Sequence, residues 1–183
     1  VAFHHLLKPQ EEARLMERLA ERIAQNGWHI DYGILGSKYV LNMLGEYGRT
    51  DVIYKMLTRE DYPGYLYWVD HGCTTLAECW NLGGSHNHYM FSDVSAVFYR
   101  YFAGIRPDGD IPAYRSFLLA PALDLAIDTL SCSVESPHGT IFAGWKKDGD
   151  TVTLPAGVQA PENGAVLDGG RHEFCWKIAQ SAG

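Results

Sequence analysis

The sequence holds no uninterrupted apolar run of about 18 residues, so none of its helices is expected to span a membrane. Positive charge is also short: 15 Lys and Arg stand against 22 Asp and Glu, a formal net charge of −7. Nucleic acids and anionic membranes both reward basic patches, so neither is the expected partner. Cysteine is scarce. Cys73, Cys79, Cys132 and Cys175 are too few and too scattered for a disulfide scaffold, and the Cys73 to Cys79 spacing is not the CxxC of a zinc knuckle. All four read as small buried residues. HExxH and GxSxG are absent, which removes the commonest zinc-protease and serine-hydrolase signatures. The opening VAFHHLLKPQ has neither Met nor a signal-peptide layout, so any targeting signal would lie upstream and no compartment is assigned. It starts directly before a helix, and a truncated chain is the expectation.

What is present is ordinary globular composition, with 46% hydrophobic residues, and a high aromatic content of 13%. Aromatic faces stack on bases and on the C–H faces of sugars, and acidity disfavours bases. A neutral, hydroxyl-rich ligand is therefore favoured.

The first hundred residues read as helices. Pro9 suits a first helical position and Gly27 a helix end, with Leu15, Leu19 and Ile23 forming a stripe that Met16 and Ala20 widen. A second helix is expected over 34–47, apolar on more than one face. Thr50 or Asp51 caps a short third one, and the REDYPGY run is turn chemistry. A fourth helix over 91–102 would put Phe91, Val94, Phe98 and Phe102 on one face. The GIRPDGD stretch marks a boundary, giving a helical domain over 1–106 and a β domain over 107–183. Beyond it the period becomes two. IDTLSCSV, GTIFAGWKK, GDTVTL and HEFCWKI read as strands of a small antiparallel sandwich.

The densest chemistry lies in HGCTTLAECWNLGGSHNHYMF, residues 71–91. His86 and His88 share a face only in a strand, and no third ligand lies nearby to complete a zinc site. Cys79 sits beside histidines, with no helix start to activate it. Glu78 reads either as a surface helix residue or, flanked by small and apolar neighbours and by Trp80, as a partly desolvated carboxylate suited to general base chemistry on a sugar. Trp80 is either a pocket wall or core packing. His86 is more easily read as exposed than as a rim contact, and His71, Asp61 and Trp68, which precede the Thr-Thr pair, could reach a pocket though nothing in the sequence demands it.

Four ordered segments carry a resemblance: Gly33–Ser37 (GILGS), Tyr62-Pro63, Gly72–Trp80 (GCTTLAECW) and Ser85–Tyr89 (SHNHY). Together with SPHGTIFAGW and TLPAG further on, they resemble the C-terminal part of bacterial α-L-rhamnosidases of glycoside hydrolase family 78. The resemblance implies the last helices of an (α/α)6 barrel followed by a small antiparallel β-sandwich. It implies inverting hydrolysis of terminal α-L-rhamnose from glycosides, with Glu78 as general base, His88 a contact to sugar hydroxyls and Trp80 a wall of the pocket. No cofactor and no metal are implied. Cys73 stands where the family usually has Ala, and Cys79 where Arg is common. The family's general acid lies on earlier helices that this chain lacks, so the chain is expected to be inactive alone. Its uncovered helix faces would meet the missing part of the barrel or a second copy. The alternative is a non-catalytic carbohydrate-binding or interaction module that keeps a vestigial site.

Overall fold

The computed structural model describes residues 2–109, 112–137, 139–148, 151–157, 161–162, 165–166 and 171–177, in two compact units, Val1–Val97 and Phe98–Gly183. In the first unit, α1 spans Pro9–Gln25, α2 Ile34–Glu46, α3 Thr50–Leu57, α4 Tyr65–Asp70 and the short α5 Asp93–Val97.

Helix α1 starts as its sequence dictates, with Pro9 at the first turn and Glu11 reaching back to the Lys8 amide at 3.1 Å. Gly27, at φ +66°, ends it. The buried stripe is rotated from the expected one. Glu12, Met16, Ala20 and Ile23 face inward, while Leu15 is exposed. Glu12 can be buried because the Tyr47 hydroxyl donates to it at 2.6 Å, with His5 Nδ1 at 3.3 Å. The Tyr47 bond is also the main reason its carboxyl sits below the usual range.

Helix α2 buries Leu41, Met43 and Leu44 but leaves Leu35 75% and Tyr39 43% exposed, so its apolar surface is covered on one side only. Neither Thr50 nor Asp51 caps α3. The N-cap position belongs to Arg49, whose Nε donates to Asp51 at 3.2 Å, and Thr50 is already helical and buried. Helix α4 arises directly after the REDYPGY turn, where the Tyr62-Pro63 peptide is cis.

The expected continuous fourth helix is broken into a 3-10 turn at Tyr89–Phe91, α5, and a π-turn at Phe98–Phe102 that opens the second unit. In that turn the Ala103 amide bonds to the Phe98 carbonyl five residues back, at 2.8 Å. The wider turn shifts the register, so Phe98 is 47% exposed while Tyr101 and Phe102 are buried. Gly104 follows at φ +78°, with the Ala120 carbonyl packed where a side chain would stand.

Strands β1 (Ile105–Pro107) and β2 (Phe117–Leu119) pair antiparallel. Then β3 (Thr129–Ser136), β4 (Gly139–Asp148), β5 (Thr151–Gly157) and β8 (Arg171–Lys177) form an antiparallel sheet in the order β3-β4-β5-β8, beside the small pair β6 (Pro161–Glu162) and β7 (Ala165–Val166). Alternation along β3 points Cys132 and Val134 toward a core of Ile105, Phe117, Ile141 and Ala143. The TLPAG stretch lies inside β5.

Of the cysteines, Cys79 is exposed, and Cys73 and Cys132 are half-buried and free. Burial pushes the Cys132 thiol up. The side chain of Cys175 lies outside the described residues. No described helix is long and apolar enough to cross a membrane.

Candidate active site

Helix α4 ends at His71, and Gly72, at φ +81°, turns the chain into the loop that carries the candidate residues. Two runs of this loop lie side by side. The His88 amide donates to the Leu76 carbonyl at 2.8 Å, the Glu78 amide to the Ser85 carbonyl at 2.8 Å, and the Thr75 hydroxyl to the His86 carbonyl. Between them residues 79–84 make a tight excursion. The Leu82 amide bonds to the Cys79 carbonyl at 3.0 Å, the Gly83 amide to Asn81 Oδ1 at 3.1 Å, and Gly84 takes φ +75°. The loop thus brings Glu78 and His88 onto adjacent, hydrogen-bonded runs, although ten positions separate them in sequence.

Glu78 is half-buried. The Ser85 amide donates to its Oε2 at 3.0 Å, and among the described residues Oε1 accepts no hydrogen bond. This carboxylate is held at one oxygen and available at the other. His88 is half-buried, its ring nearly parallel to that of the exposed Tyr89 at 6.5 Å.

Trp80 anchors the excursion. It stacks on Trp68 at 4.4 Å and 23°, meets Phe91 at 4.4 Å, and takes Tyr65 edge-on at 5.2 Å. Its Nε1 donates to the Tyr32 carbonyl at 2.8 Å, and its own carbonyl accepts from Trp68 Nε1 at 3.0 Å. Trp80 therefore packs in the core, and another edge of it lines a cleft of about 620 Å³ with Asn26, His29, Asp31, Tyr32 and Tyr62. Glu78 and His88 are not among the residues that line this cleft. Of the remaining candidates, Trp68 is buried within the aromatic cluster, and His71 is exposed with Nδ1 on the Tyr67 carbonyl at 2.8 Å. His86 is exposed too, with Nε2 on the Leu82 carbonyl at 2.9 Å.

Asp61 is not among the residues that line the cleft; it stands in a charged group that meets the cleft through His29. Arg59 grips Asp61 through Nε at 2.8 Å and Nη2 at 2.5 Å, and the other Asp61 contact is His29 Nε2 at 2.9 Å. His29 Nδ1 meets the Asn26 carbonyl at 2.9 Å. With a carbonyl and a carboxylate on its two nitrogens, the ring favours the imidazolium, and its pKa is raised, first by the Asn26 bond and then by Asp61. The Arg59 guanidinium, with His29 second, pulls the Asp61 carboxyl down to about 2. Among the described residues no group of three or more His, Cys, Asp or Glu could hold a metal.

Helices joined by short turns and followed by an antiparallel β region define a helical-hairpin architecture with a C-terminal β domain. Residues 1–102 match the bacterial α-L-rhamnosidase six-hairpin glycosidase domain, and residues 104–166 match the bacterial α-L-rhamnosidase C-terminal domain. The chain belongs to this family, corresponding to the C-terminal part of its members. An α-L-rhamnosidase of Alteromonas sp. is 29% identical over 170 residues, covering 84% of this chain and 18% of that protein. The chain therefore spans under a fifth of the length of such a relative. The solved α-L-rhamnosidase of Dictyoglumus thermophilum superposes with a TM-score of 0.71 at 29% identity, over 80% of this chain and 17% of that one. The Streptomyces avermitilis α-L-rhamnosidase, solved with L-rhamnose, superposes with a TM-score of 0.81 over 94% of this chain and 20% of that one. At 24% identity that likeness speaks for the fold.

Proposed function

We propose that this chain is the C-terminal segment of an inverting glycoside hydrolase that releases terminal α-L-rhamnose, and that Glu78 is its general base. The observation that carries the reading is the state of Glu78: half-buried, with Oε2 held by the Ser85 amide and Oε1 open. In this reaction Glu78 takes a proton from water as the water oxygen bonds to the anomeric carbon. The glycosidic C–O bond breaks on the opposite face, and the leaving oxygen takes a proton from a second carboxylic acid roughly 6.5–9.5 Å away. That acid is assigned to the upstream helices, so the isolated chain is read as inactive. His88 contacts the sugar hydroxyls, and Trp80 forms part of the wall while supporting the loop from below. Residues 1–106 are assigned to the barrel and 107–183 to the β domain. No cofactor enters the scheme, and the half-exposed face of α2 around Leu35 and Tyr39 is assigned to the rest of the barrel.

The test pairs hydrolysis of a chromogenic α-L-rhamnoside with calorimetric titration of L-rhamnose. The 183-residue chain should not hydrolyse the rhamnoside, and the full-length polypeptide should do so and give β-L-rhamnose as the first product by proton NMR. Turnover by the isolated chain would refute the assignment of the acid upstream. A first product of α configuration would refute the inverting base.

A further inference from the structure

A general base must present one oxygen to water at a fixed angle, and Glu is a long side chain with several free rotors. Glu78 is restrained by a contact that its sequence neighbours do not supply. Residues 78 and 85 are joined twice: the Glu78 amide donates to the Ser85 carbonyl at 2.8 Å, and the Ser85 amide returns a bond to Glu78 Oε2 at 3.0 Å. The Ser85 hydroxyl oxygen accepts from the Asn87 amide at 3.2 Å, and among the described residues the hydrogen bond to the carboxylate comes from the main chain. The approach is possible because residue 84 has no side chain. A Cβ there would fall 2.5 Å from Oε2, 3.1 Å from the carboxyl carbon and 3.4 Å from the Glu78 Cβ. Gly84 also holds φ +75°, a left-handed conformation that aims the next amide at the carboxylate.

We propose that the Gly84–Ser85 turn is the positioning element of the general base: its amide fixes Oε2 and so aims Oε1 at the attacking water. This rests on Glu78 being the base. The surrounding bonds suit the task, since Trp80 secures the excursion to the aromatic cluster at one end and the His88 amide ties it to Leu76 at the other. The carboxylate is thereby oriented by backbone, which moves less than a side-chain donor would.

The test uses the full-length enzyme with three variants. Glu78→Gln should lower kcat about a thousandfold. Gly84→Ala displaces the carboxylate by about the overlap its methyl creates, and an error of about 1 Å in a reacting group costs on the order of a hundredfold. Its kcat should fall about a hundredfold with KM within about twofold. Azide, which bonds to the anomeric carbon in place of water and needs no base, should then restore turnover to both variants. An unaltered kcat in Gly84→Ala with Glu78→Gln down about a thousandfold overturns the positioning role and leaves the base standing. Turnover within about tenfold of the wild type in Glu78→Gln overturns the base and the inference together. If Gly84→Ala does not fold, amide exchange decides: in Glu78→Ala the Ser85 N–H should exchange at least about tenfold faster than in the wild type, with the His88 N–H unchanged as the internal control. Equal Ser85 rates overturn the proposal.

Discussion

Trp80→Ala is the most demanding test of how the candidate loop is built. The substitution removes the stack on Trp68, the contacts with Phe91 and Tyr65, and the bond to the Tyr32 carbonyl. Truncating a packed Trp costs about 3–5 kcal/mol, and Trp80 keeps one edge open to the cleft, which favours the lower end of that range. Trp80→Phe keeps most of the packing and isolates the hydrogen bond, for about 1 kcal/mol. Against a typical domain stability of about 5–15 kcal/mol, the Ala variant gives up a large fraction. Urea unfolding followed by far-ultraviolet circular dichroism reads both. With a slope of about 2 kcal/mol per molar, the midpoint should drop by roughly 1.5 M for Ala and 0.5 M for Phe. A Trp80→Ala variant within about 1 kcal/mol of the wild type would mean that the aromatic cluster does not support the loop.

Asp61→Asn should lower the His29 titration midpoint, because the substitution removes the carboxylate's bond and charge; proton NMR of the His29 ring gives the midpoint, and an unmoved one refutes the pair. The linkage has a defined window. Asp61, held at about 2 against an ordinary 3.8, stabilises the fold above pH 3.8 and loses that contribution as the pH falls toward 2. His29, raised, stabilises it below pH 6.5 and loses that contribution as the pH rises through its elevated value. Stability measured against pH should therefore fall more steeply between pH 4 and 2 in the wild type than in Asp61→Asn, and parallel curves would contradict this. Gly104→Ala combines a left-handed backbone with a collision against the Ala120 carbonyl, so a loss of at least about 2 kcal/mol is expected in thermal unfolding; an unchanged midpoint would refute the packing. Among the cysteines whose side chains are described, Cys79 should alkylate first and Cys132 last, as read by peptide mass spectrometry; the reverse order would contradict their placement.

Much of this fold is written in local pattern. Pro9 and Gly27 mark helix ends because each acts through its own backbone, and the alternation in residues 129–136 yields β3 because a strand's faces need only a period of two. What was not legible depends on distant partners. Leu15 and Leu19 are as apolar as Met16 and Ala20, and only the arrival of Tyr47 at Glu12 turns the helix onto its other stripe. The π-turn at Phe98–Phe102 has no compositional mark, so the inward positions after it shift. Helix α4 is short and follows Pro63-Gly64, where turn chemistry hides it. At the site, motif order pointed to Glu78, Trp80 and His88, and the pairing of 76–78 with 85–88 supplies a geometric reason for their proximity. The divided duty of Trp80 could not be read from its neighbours, because the rings it stacks on are spread over the loop and α4. His29 and Asp61 stand 32 positions apart, each in bland surroundings; the short spacing of Arg59 to Asp61 before Pro63 was the one available hint of a charged cluster.

The role proposed for Glu78, deprotonating the attacking water, rests on its own carboxylate. The most direct measurement is kcat of the full-length enzyme on a chromogenic α-L-rhamnoside, wild type against Glu78→Gln, with the L-rhamnose Kd of both from calorimetry. A base of this kind contributes about 10²–10⁴-fold. A fall in kcat of about a thousandfold is expected, with Kd unchanged within about twofold. Turnover retained within about tenfold at unchanged Kd would contradict it and move the base to another residue.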